Sequence, residues 1–384
     1  MEARRSVLVI PPSFVTLGSY RRRDRELARR LTEFYEVYYL SWRVPEDRTL
    51  LSRVRAGWDD LLRSPTVYQE EGLNIVHLPT LRGPFEVAGV YNRAWLSKLI
   101  RQISPNYIFN ASTYLHPLPR LKDAVYCYDF HDLPVANSFL YRRVIDRHVR
   151  TEIRKADLLT AVSHGIVDYL EHKYGRSVHY LPNGADMPRF EGVTQDEVEG
   201  IRRRFGLVGK FVIGYIGYFG GWSGLDFAVE VYKKFKGHIE DAVLFVVGSG
   251  EEVDKHRNRS EEGVIFAGAV DQDEVHKYFC SIDVGILTSP PAGFRNYSFP
   301  MKVIEYSAAR KMVVSTPLAE LKRINLPNVL LAEYGSVDEW VRALMRVKGT
   351  PWDPSWDQVI EKYDWGRICR KLVELLEGRS HREA

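Results

Sequence analysis

Short β-branched runs alternate with helix-patterned stretches along most of the chain, and that rhythm leaves few folds open. The first half carries SVLVIPP, EVYYLSW, LNIVHLP, NYIFNAS, AVYCYDF, DLLTAVS and SVHYLPN, with helical patterns centred near Leu27, Leu99, Val144 and Val167 between several of them. This is the pattern of a parallel sheet covered on both faces. After LPNGADMPRF comes a charged stretch, EGVTQDEVEGIRRRFGLVGK, and then the rhythm restarts with FVIGYIG, AVLFVVG, VIFAGAV, VGILTS, KMVVSTP and NVLLAEY, with helices from Leu225, Asp273 and Pro300. The expected fold class is α/β, two doubly wound domains over residues 1–190 and 207–350, with a boundary between about Asp186 and Gly209. The tail DQVIEKYDWGRICRKLVELLEG has helical spacing and ends in Gly378, so 351–384 is expected to be an amphipathic helix packing back on the first domain. At 384 residues and 45% hydrophobic, the chain is long and apolar enough for two cores.

Two tandem domains of this kind set the carboxyl ends of two sheets opposite each other, so the expected site is the cleft between them. A formal charge of +4 is small for this length and argues against nucleic acid as partner. Cys127, Cys280 and Cys369 lie far apart without a C-x-x-C pair, which fits a reducing compartment and offers neither a disulfide framework nor a zinc set. The start MEARRSVLVIPP has too short an apolar run for a signal peptide, and no stretch reaches a membrane span, so a cytoplasmic protein is expected.

Gly217, Gly220, Gly221 and Gly224 crowd the turn between the second domain's first strand and first helix. Glycine lets backbone amides approach a phosphate, and the following helix aims its positive end at the same point; a tight turn needing positive φ is the equal alternative. The spacing is neither G-x-G-x-x-G nor G-x-x-x-x-G-K-[ST], and GSGEEV lacks the third glycine, which speaks against a nicotinamide dehydrogenase and a P-loop NTPase. In RNYSFPMKVIEYSAARKMVVSTPLAE a helix starts near Pro300 with Lys302 in its first turn, where a phosphate would sit, and Glu305 one turn on, placed to accept hydrogen bonds from two ribose hydroxyls. An i, i+3 ion pair on a solvated face is the alternative, but VIEYSAA leaves little polar face to solvate.

The run SFPMKVIEYSAARKMVVSTPLAE resembles the nucleotide-sugar signature of GT-B glycosyltransferases, in particular family four (glycosyltransferase group 1), with its P-x-K-x-x-E-Y helix followed by a hydrophobic strand. ADLLTAVSHGIVDYL, LPNGADMPRF, VIGYIGYFGGWSGLD, VLFVVGSGEE, VIFAGAV and DVGILTS agree in order, over about Ala156 to Glu320. The resemblance implies two Rossmann-like domains, an acceptor-binding one followed by a nucleotide-sugar-binding one. It implies a hexosyl transfer in glycan biosynthesis from a nucleoside-diphosphate sugar, with no other cofactor and no metal, since no D-x-D stands where a metal-dependent transferase keeps one. Lys302 would hold the diphosphate and Glu305 the ribose; amides around Phe299 to Met301 and Gly217 to Gly221 would complete the phosphate site, and the backbone near Ala269 and Val270 would meet the base. His131, in YDFHD, matches the histidine beside the donor sugar, with Asp132 next to it. A lone histidine at a strand end is otherwise a turn residue.

Two departures from the family pattern stand out. Tyr297 occupies the place of the first glutamate in the E-x7-E pair, and Tyr218 and Ser223 replace the usual arginine and lysine of the glycine turn, whose charge Arg295 and Lys302 would supply. Family grounds favour retention; inversion would need a base, for which Asp129, Asp132 and His131 are candidates. On the acceptor side, SYRRRDRELARRLTEF reads as a helix with Leu27, Leu31 and Phe34 in one stripe and Arg22, Arg25 and Arg29 opposite, and YRRVIDRHVRTEIRK is basic again. Contact with the anionic inner face of a membrane, bringing a lipid-linked or glycan acceptor, and a merely solvated arginine face are both open. Phe85, Tyr91 and Trp95 could line an acceptor groove or simply pack in the core. A sugar-nucleotide 2-epimerase and a non-catalytic nucleotide-sugar-binding subunit are the alternatives; Tyr297 favours the latter.

Overall fold

The computed structural model describes residues 4–12, 23–41, 65–78, 85–112, 118–119, 123–133, 139–257, 259, 261–291, 293 and 297–380. Arg22, Arg295 and the side chain of Phe85 lie outside the described residues. The chain divides into two compact units, Met1–Pro182 with Ile368–Ala384, and Asn183–Arg367.

The first unit runs β1 (Ser6–Ile10), α1 (Arg23–Leu31), β2 (Glu36–Ser41), β3 (Thr66–Glu70), β4 (Leu73–His77), α2 (Phe85–Ile103), β5 (Tyr107–Asn110), β6 (Val125–Phe130), α3 (Phe139–Lys155), β7 (Leu158–Ala161), α4 (His164–Tyr174) and β8 (His179–Tyr180). Its sheet has the order β3-β4-β2-β1-β5-β6-β7-β8. The strand β3 pairs antiparallel with β4, so the sheet is not the purely parallel one expected from the sequence. Glu71 and Gly72, both at positive φ (52° and 79°), make the two-residue turn that folds β3 back. Because β3 is mostly exposed, it lacks the apolar run that marked its neighbours.

In α1, Leu27 and Leu31 are fully buried, but Phe34 falls in the turn beyond the helix and is 37% exposed, so the expected stripe ends at Leu31. Across from it, Arg25 pairs with Glu70 at 2.6 Å and Glu71 at 3.1 Å, and Arg29 with Glu71 at 3.4 Å. The arginine face of α1 is thus neutralised by the β3–β4 hairpin.

The tail is not one helix. Asp357–Ile360 and a 3-10 turn at Glu361–Tyr363 precede the last helix, Trp365–Ser380, which runs through Gly378. The break is at Asp364, whose Oδ1 accepts from the amides of Gly366 (2.8 Å) and Arg367 (3.2 Å) in the manner of an N-cap. The helix then buries Leu372 and Leu376 completely. Within the first unit, the Tyr35 hydroxyl donates to Glu377 at 3.2 Å.

The second unit begins with α5 (Met187–Glu191) and α6 (Gln195–Arg204), followed by β9 (Phe211–Tyr218), α7 (Leu225–Lys236), β10 (Ala242–Ser249), α8 (Glu251–Arg257), β11 (Val264–Gly268), α9 (Val275–Cys280), β12 (Val284–Leu287), α10 (Met301–Ala308), β13 (Met312–Ser315), α11 (Ala319–Ile324), β14 (Val329–Leu331) and α12 (Val337–Val347). The charged stretch after Asp186 is therefore helical: Thr194 and Glu197 close a capping box at the start of α6, and Arg202 ties the helix to Ser281 and Asp283 at 2.9 and 2.5 Å. The sheet is parallel throughout, in the order β11-β10-β9-β12-β13-β14. Counted along the unit this is 3-2-1-4-5-6, so connections leave β9 and β12 toward opposite sides and open a crevice at their carboxyl ends.

Candidate active site

The two strands that flank this crevice deliver the segments singled out in the sequence. The glycine turn leaves β9, and β12 leads through Thr288 to Pro300 and into α10. A single tyrosine fixes α10 beneath them. Tyr306 is fully buried; its hydroxyl accepts from the Ile216 amide and donates to the Gly214 carbonyl, each at 3.0 Å. Burial holds its phenol well above the ordinary value, so it remains a neutral donor and acceptor. The ring fits because position 285 is glycine: a Cβ there would lie 2.5 Å from the ring carbons. Val303 and Ile304, also fully buried, seat the same face of α10.

With α10 seated, Lys302 lies along the end of β9. A Cβ on Gly217 would overlap the Lys302 side chain, so this glycine, at φ 139°, is required by close approach as well as by conformation. The ammonium sits 5.4 Å from the Tyr215 ring centroid and 5.3 Å from that of Phe219, within cation–π range. The N-cap residue of α10 is Pro300, which makes no side-chain cap bond, and Glu305 is half-buried one turn on. The Met301 amide already donates to the Phe299 carbonyl at 3.0 Å, which removes it from the expected set of phosphate donors. Phe299 itself is buried, its ring centroid 5.9 Å from that of Tyr363, so its side chain is a packing element and only its backbone belongs to the crevice.

The glycine turn resolves into two kinds of position. Gly224, at φ 75°, opens α7 where a Cβ would overlap the Thr288 carbonyl, so its role is packing. Gly220 and Gly221 have no positive φ; a Cβ on Gly220 would come 2.8 Å from Trp222 Nε1, and the Gly221 amide donates to Glu251 Oε1 at 3.0 Å. Tyr218 is exposed, whereas the buried Ser223 hydroxyl has no hydrogen-bond partner among the described residues. Val270 is half-buried just beyond β11, and Tyr297 is half-buried ahead of α10. The crevice thus gathers a lysine, a carboxylate and glycine backbone at a helix start, a combination able to hold an anion and a vicinal diol together.

In the first unit His131 and Asp132 follow β6 directly. His131 is partly exposed, with its Nδ1 buried and lacking a hydrogen-bond partner among the described residues; its Nε2 stands 3.9 Å from Asp132 Oδ2, too far for a hydrogen bond. Asp129 is no candidate base. Arg23 grips both its oxygens at 2.9 Å and Thr160 donates to it at 2.7 Å, all buried. Arg23 also reaches the Pro182 carbonyl at 2.7 Å, an arrangement that the sequence does not announce, because the partners are over 100 residues apart. The three cysteines are unpaired. Burial raises every thiol, Cys280 to about 11 and Cys369 to about 12, so none is poised as a nucleophile.

Two sheets of Rossmann-like order, parallel but for the edge strand β3 and one with a lysine-bearing helix start at its crevice, define a two-domain α/β protein of the GT-B class. Residues 23–189 match the profile described as Glycosyltransferase Family 4, and residues 210–348 that of Glycosyl transferases group 1. TuaH of Bacillus subtilis (strain 168), named as a teichuronic acid biosynthesis glycosyltransferase, is 26% identical over 76% of this chain and 79% of its own. Among solved structures, a glycosyltransferase from Rickettsia africae ESF-5 superposes with a TM-score of 0.70 at 15% identity, covering 98% of this chain and 99% of that one. HepE from Anabaena, solved in complex with UDP, superposes with a TM-score of 0.69 at 14% identity over 97% of this chain and all of that one. The chain belongs to the GT-B glycosyltransferases of group 1, family four type. No described helix is long and apolar enough to cross a membrane.

Proposed function

We propose that this glycosyltransferase moves a hexosyl group from a nucleoside-diphosphate sugar to a hydroxyl of a glycan or lipid-linked acceptor, with retention and without a metal ion in the reaction. The observation that carries the reading is the position of Lys302, laid along Gly217 in the first turn of α10. A diphosphate placed there meets an ammonium and a helix N-terminus, which together stabilise the charge that develops as the anomeric C–O bond breaks. The acceptor oxygen bonds to the anomeric carbon and its proton leaves with the nucleoside diphosphate, so the protein need supply no base. Glu305 holds the ribose hydroxyls, the backbone near Val270 meets the base, and Arg295 and Tyr297 border the donor. In the first unit, His131 and its neighbour Asp132 are the residues proposed to take part in the transfer. The UDP bound to HepE makes UDP-sugars the first donors to try.

Transfer assayed against a panel of nucleotide sugars, with the anomeric configuration of the product read by NMR, tests this. Lys302→Ala and Glu305→Ala should each raise donor KM and lower kcat/KM; unchanged kinetics in both would overturn the placement of the donor. Free epimerised donor would favour the epimerase reading, and donor binding without turnover the non-catalytic subunit suggested by Tyr297.

For a cytoplasmic enzyme with a lipid-linked acceptor, the face suited to anionic headgroups is α3 rather than α1. Arg143, Arg147, Arg150 and Arg154 recur at helical spacing along its exposed side and, with Asp146 and Lys173, line an open groove; Asp146 holds Arg150 at 2.9 Å and Lys173 at 2.6 Å, so the contact rests on Arg147 and Arg154. Sedimentation with phosphatidylglycerol vesicles that is lost on charge reversal at Arg147 and Arg154 is expected; binding that survives the reversal overturns this contact.

A further inference from the structure

In the second unit, His256 occupies a setting that the glycosyl transfer does not explain. It is 1% exposed, on the same face of α8 as Glu252, four residues earlier and 7% exposed. Asp226, in the first turn of α7, faces the pair, and one ligand atom from each of Asp226, Glu252 and His256 lies within 4.8 Å of the others. His256 Nδ1 is 3.2 Å from Glu261 Oε2, and Glu261 is itself held by Lys233 at 2.7 Å. A ring nitrogen held by a carboxylate in this way is the usual companion of a metal-ligating histidine, because it places the proton on Nδ1 and the lone pair on Nε2. Among the described residues the buried Nε2 makes no hydrogen bond, although Asp226 Oδ1 is only 2.9 Å away. With the proton on Nδ1, a lone pair and a carboxylate oxygen at that separation repel unless a metal ion or a second proton lies between them. Neighbouring ligands at about 2.1 Å from one ion are themselves roughly 3.0–3.4 Å apart, near the 2.9 Å between His256 Nε2 and Asp226 Oδ1.

We propose that Asp226, Glu252 and His256 form a binding site for a divalent first-row metal ion such as Zn²⁺, with Glu261 orienting the imidazole. One imidazole and two carboxylates suit such an ion better than Mg²⁺ or Ca²⁺, which take oxygen ligands throughout. Lys255, 2.5 Å from Glu252 Oε1, and Arg259, 3.3 Å from Asp226 Oδ1, are the counter-charges the ion displaces; both side chains are more than half exposed and can swing away. The ion joins the start of α7 to α8. Since Glu251 on α8 holds the Gly221 amide and Gly224 opens α7, the middle and the far end of the glycine turn become tied to it. Its role is to hold that turn, and it takes no part in bond breaking.

The test uses tag-free full-length protein stripped with chelator and titrated with Co²⁺, read by its visible absorption, then with Zn²⁺ in competition and by thermal melting. One equivalent of Co²⁺, displaced by Zn²⁺, and a saturable rise in melting temperature are expected. His256→Gln and Asp226→Asn should each weaken binding at least tenfold, and Glu261→Gln should weaken it by about tenfold. Because His256→Gln alters a buried residue, Asp226→Asn, at an exposed carboxylate, decides the matter if the former fails to fold. Absence of stoichiometric binding, or full Co²⁺ affinity in an Asp226→Asn protein that melts like the wild type in chelator, would overturn the site. So would a melting temperature indifferent to Zn²⁺, which would mark His256 as an imidazolium held between Asp226 and Glu261.

Discussion

The two units share a strand order around their central strands yet treat the carboxyl ends of those strands in opposite ways. In the first, the end of β6 is closed by side chains: Arg23, Asp129 and Thr160 form a buried, paired group, with His131 and Asp132 beyond it. In the second, the ends of β9 and β10 are stripped of side chains. Gly217, Gly248 and Gly250 all take φ between 131° and 141°, and a Cβ on Gly248 or Gly250 would overlap backbone of the neighbouring segment. A charge held by other charges in the interior specifies a shape and leaves nothing for a ligand. Where backbone meets backbone at β9 and β10, the Lys302 side chain fills the space beside Gly217. The same sheet plan thus yields an edge closed by paired side chains in one unit and, in the other, the edge at which the donor is proposed to bind.

Breaking the closed edge should produce the largest effect. Asp129→Asn leaves Arg23 buried without its counter-charge and should cost the first unit ~3–5 kcal/mol, read by urea unfolding, while kcat of the protein that remains folded stays within about twofold of wild type. A selective loss of kcat at unchanged stability would instead make Asp129 a catalytic group and dissolve the contrast. At the receptive edge, Lys302→Ala should lower kcat/KM by roughly 10²–10³-fold, about 3–4 kcal/mol, with no fall in melting temperature. Tyr306→Phe strands the Ile216 amide and the Gly214 carbonyl, and should destabilise the second unit by ~1–3 kcal/mol while raising donor KM.

The pH dependence should separate the units as well. Burial, helped by Lys155, lowers the His148 imidazole from 6.5 to about 4. The unfolded chain therefore takes up a proton below pH 6.5 that the folded unit refuses until about pH 4, so this stability is complete above 6.5 and is lost as pH falls between the two values. A decline of ~3 kcal/mol in the first unit over that window is expected from acid titration of unfolding, and His148→Gln should flatten it. The smallest effect should come from Arg25→Ala, which removes pairs to Glu70 and Glu71 at the surface and should cost about 1 kcal/mol or less in a thermal melt.

Much of this architecture was legible because the local chemistry and the final environment agree. The apolar runs of β1, β9 and β10 are buried almost throughout, so their periodicity named them as strands in advance. PMKVIEY placed Lys302 and Glu305 at a helix start that the fold then set at a crevice. Legibility failed where exposure erased the pattern, as in β3, or where a capping residue cut a continuous periodicity, as Asp364 does in the tail. Glu252 and His256 at i, i+4 were a readable signal for a shared face, but Asp226 completes their cluster from a different helix, and no spacing within one segment could supply it.

By itself, the amino-acid order determined the alternation of elements, the glycines that only a close backbone approach explains, and the lysine and glutamate on one helix. Only the tertiary structure decided that Asp129 is locked in an ion pair, that Tyr306 hangs α10 from two strands, and that three separate segments converge on His256. The reason is range: hydrogen bonding and side-chain periodicity along one element act over a few residues, whereas charge pairing and burial depend on which distant segments the packed sheets bring within about 3–4 Å of each other.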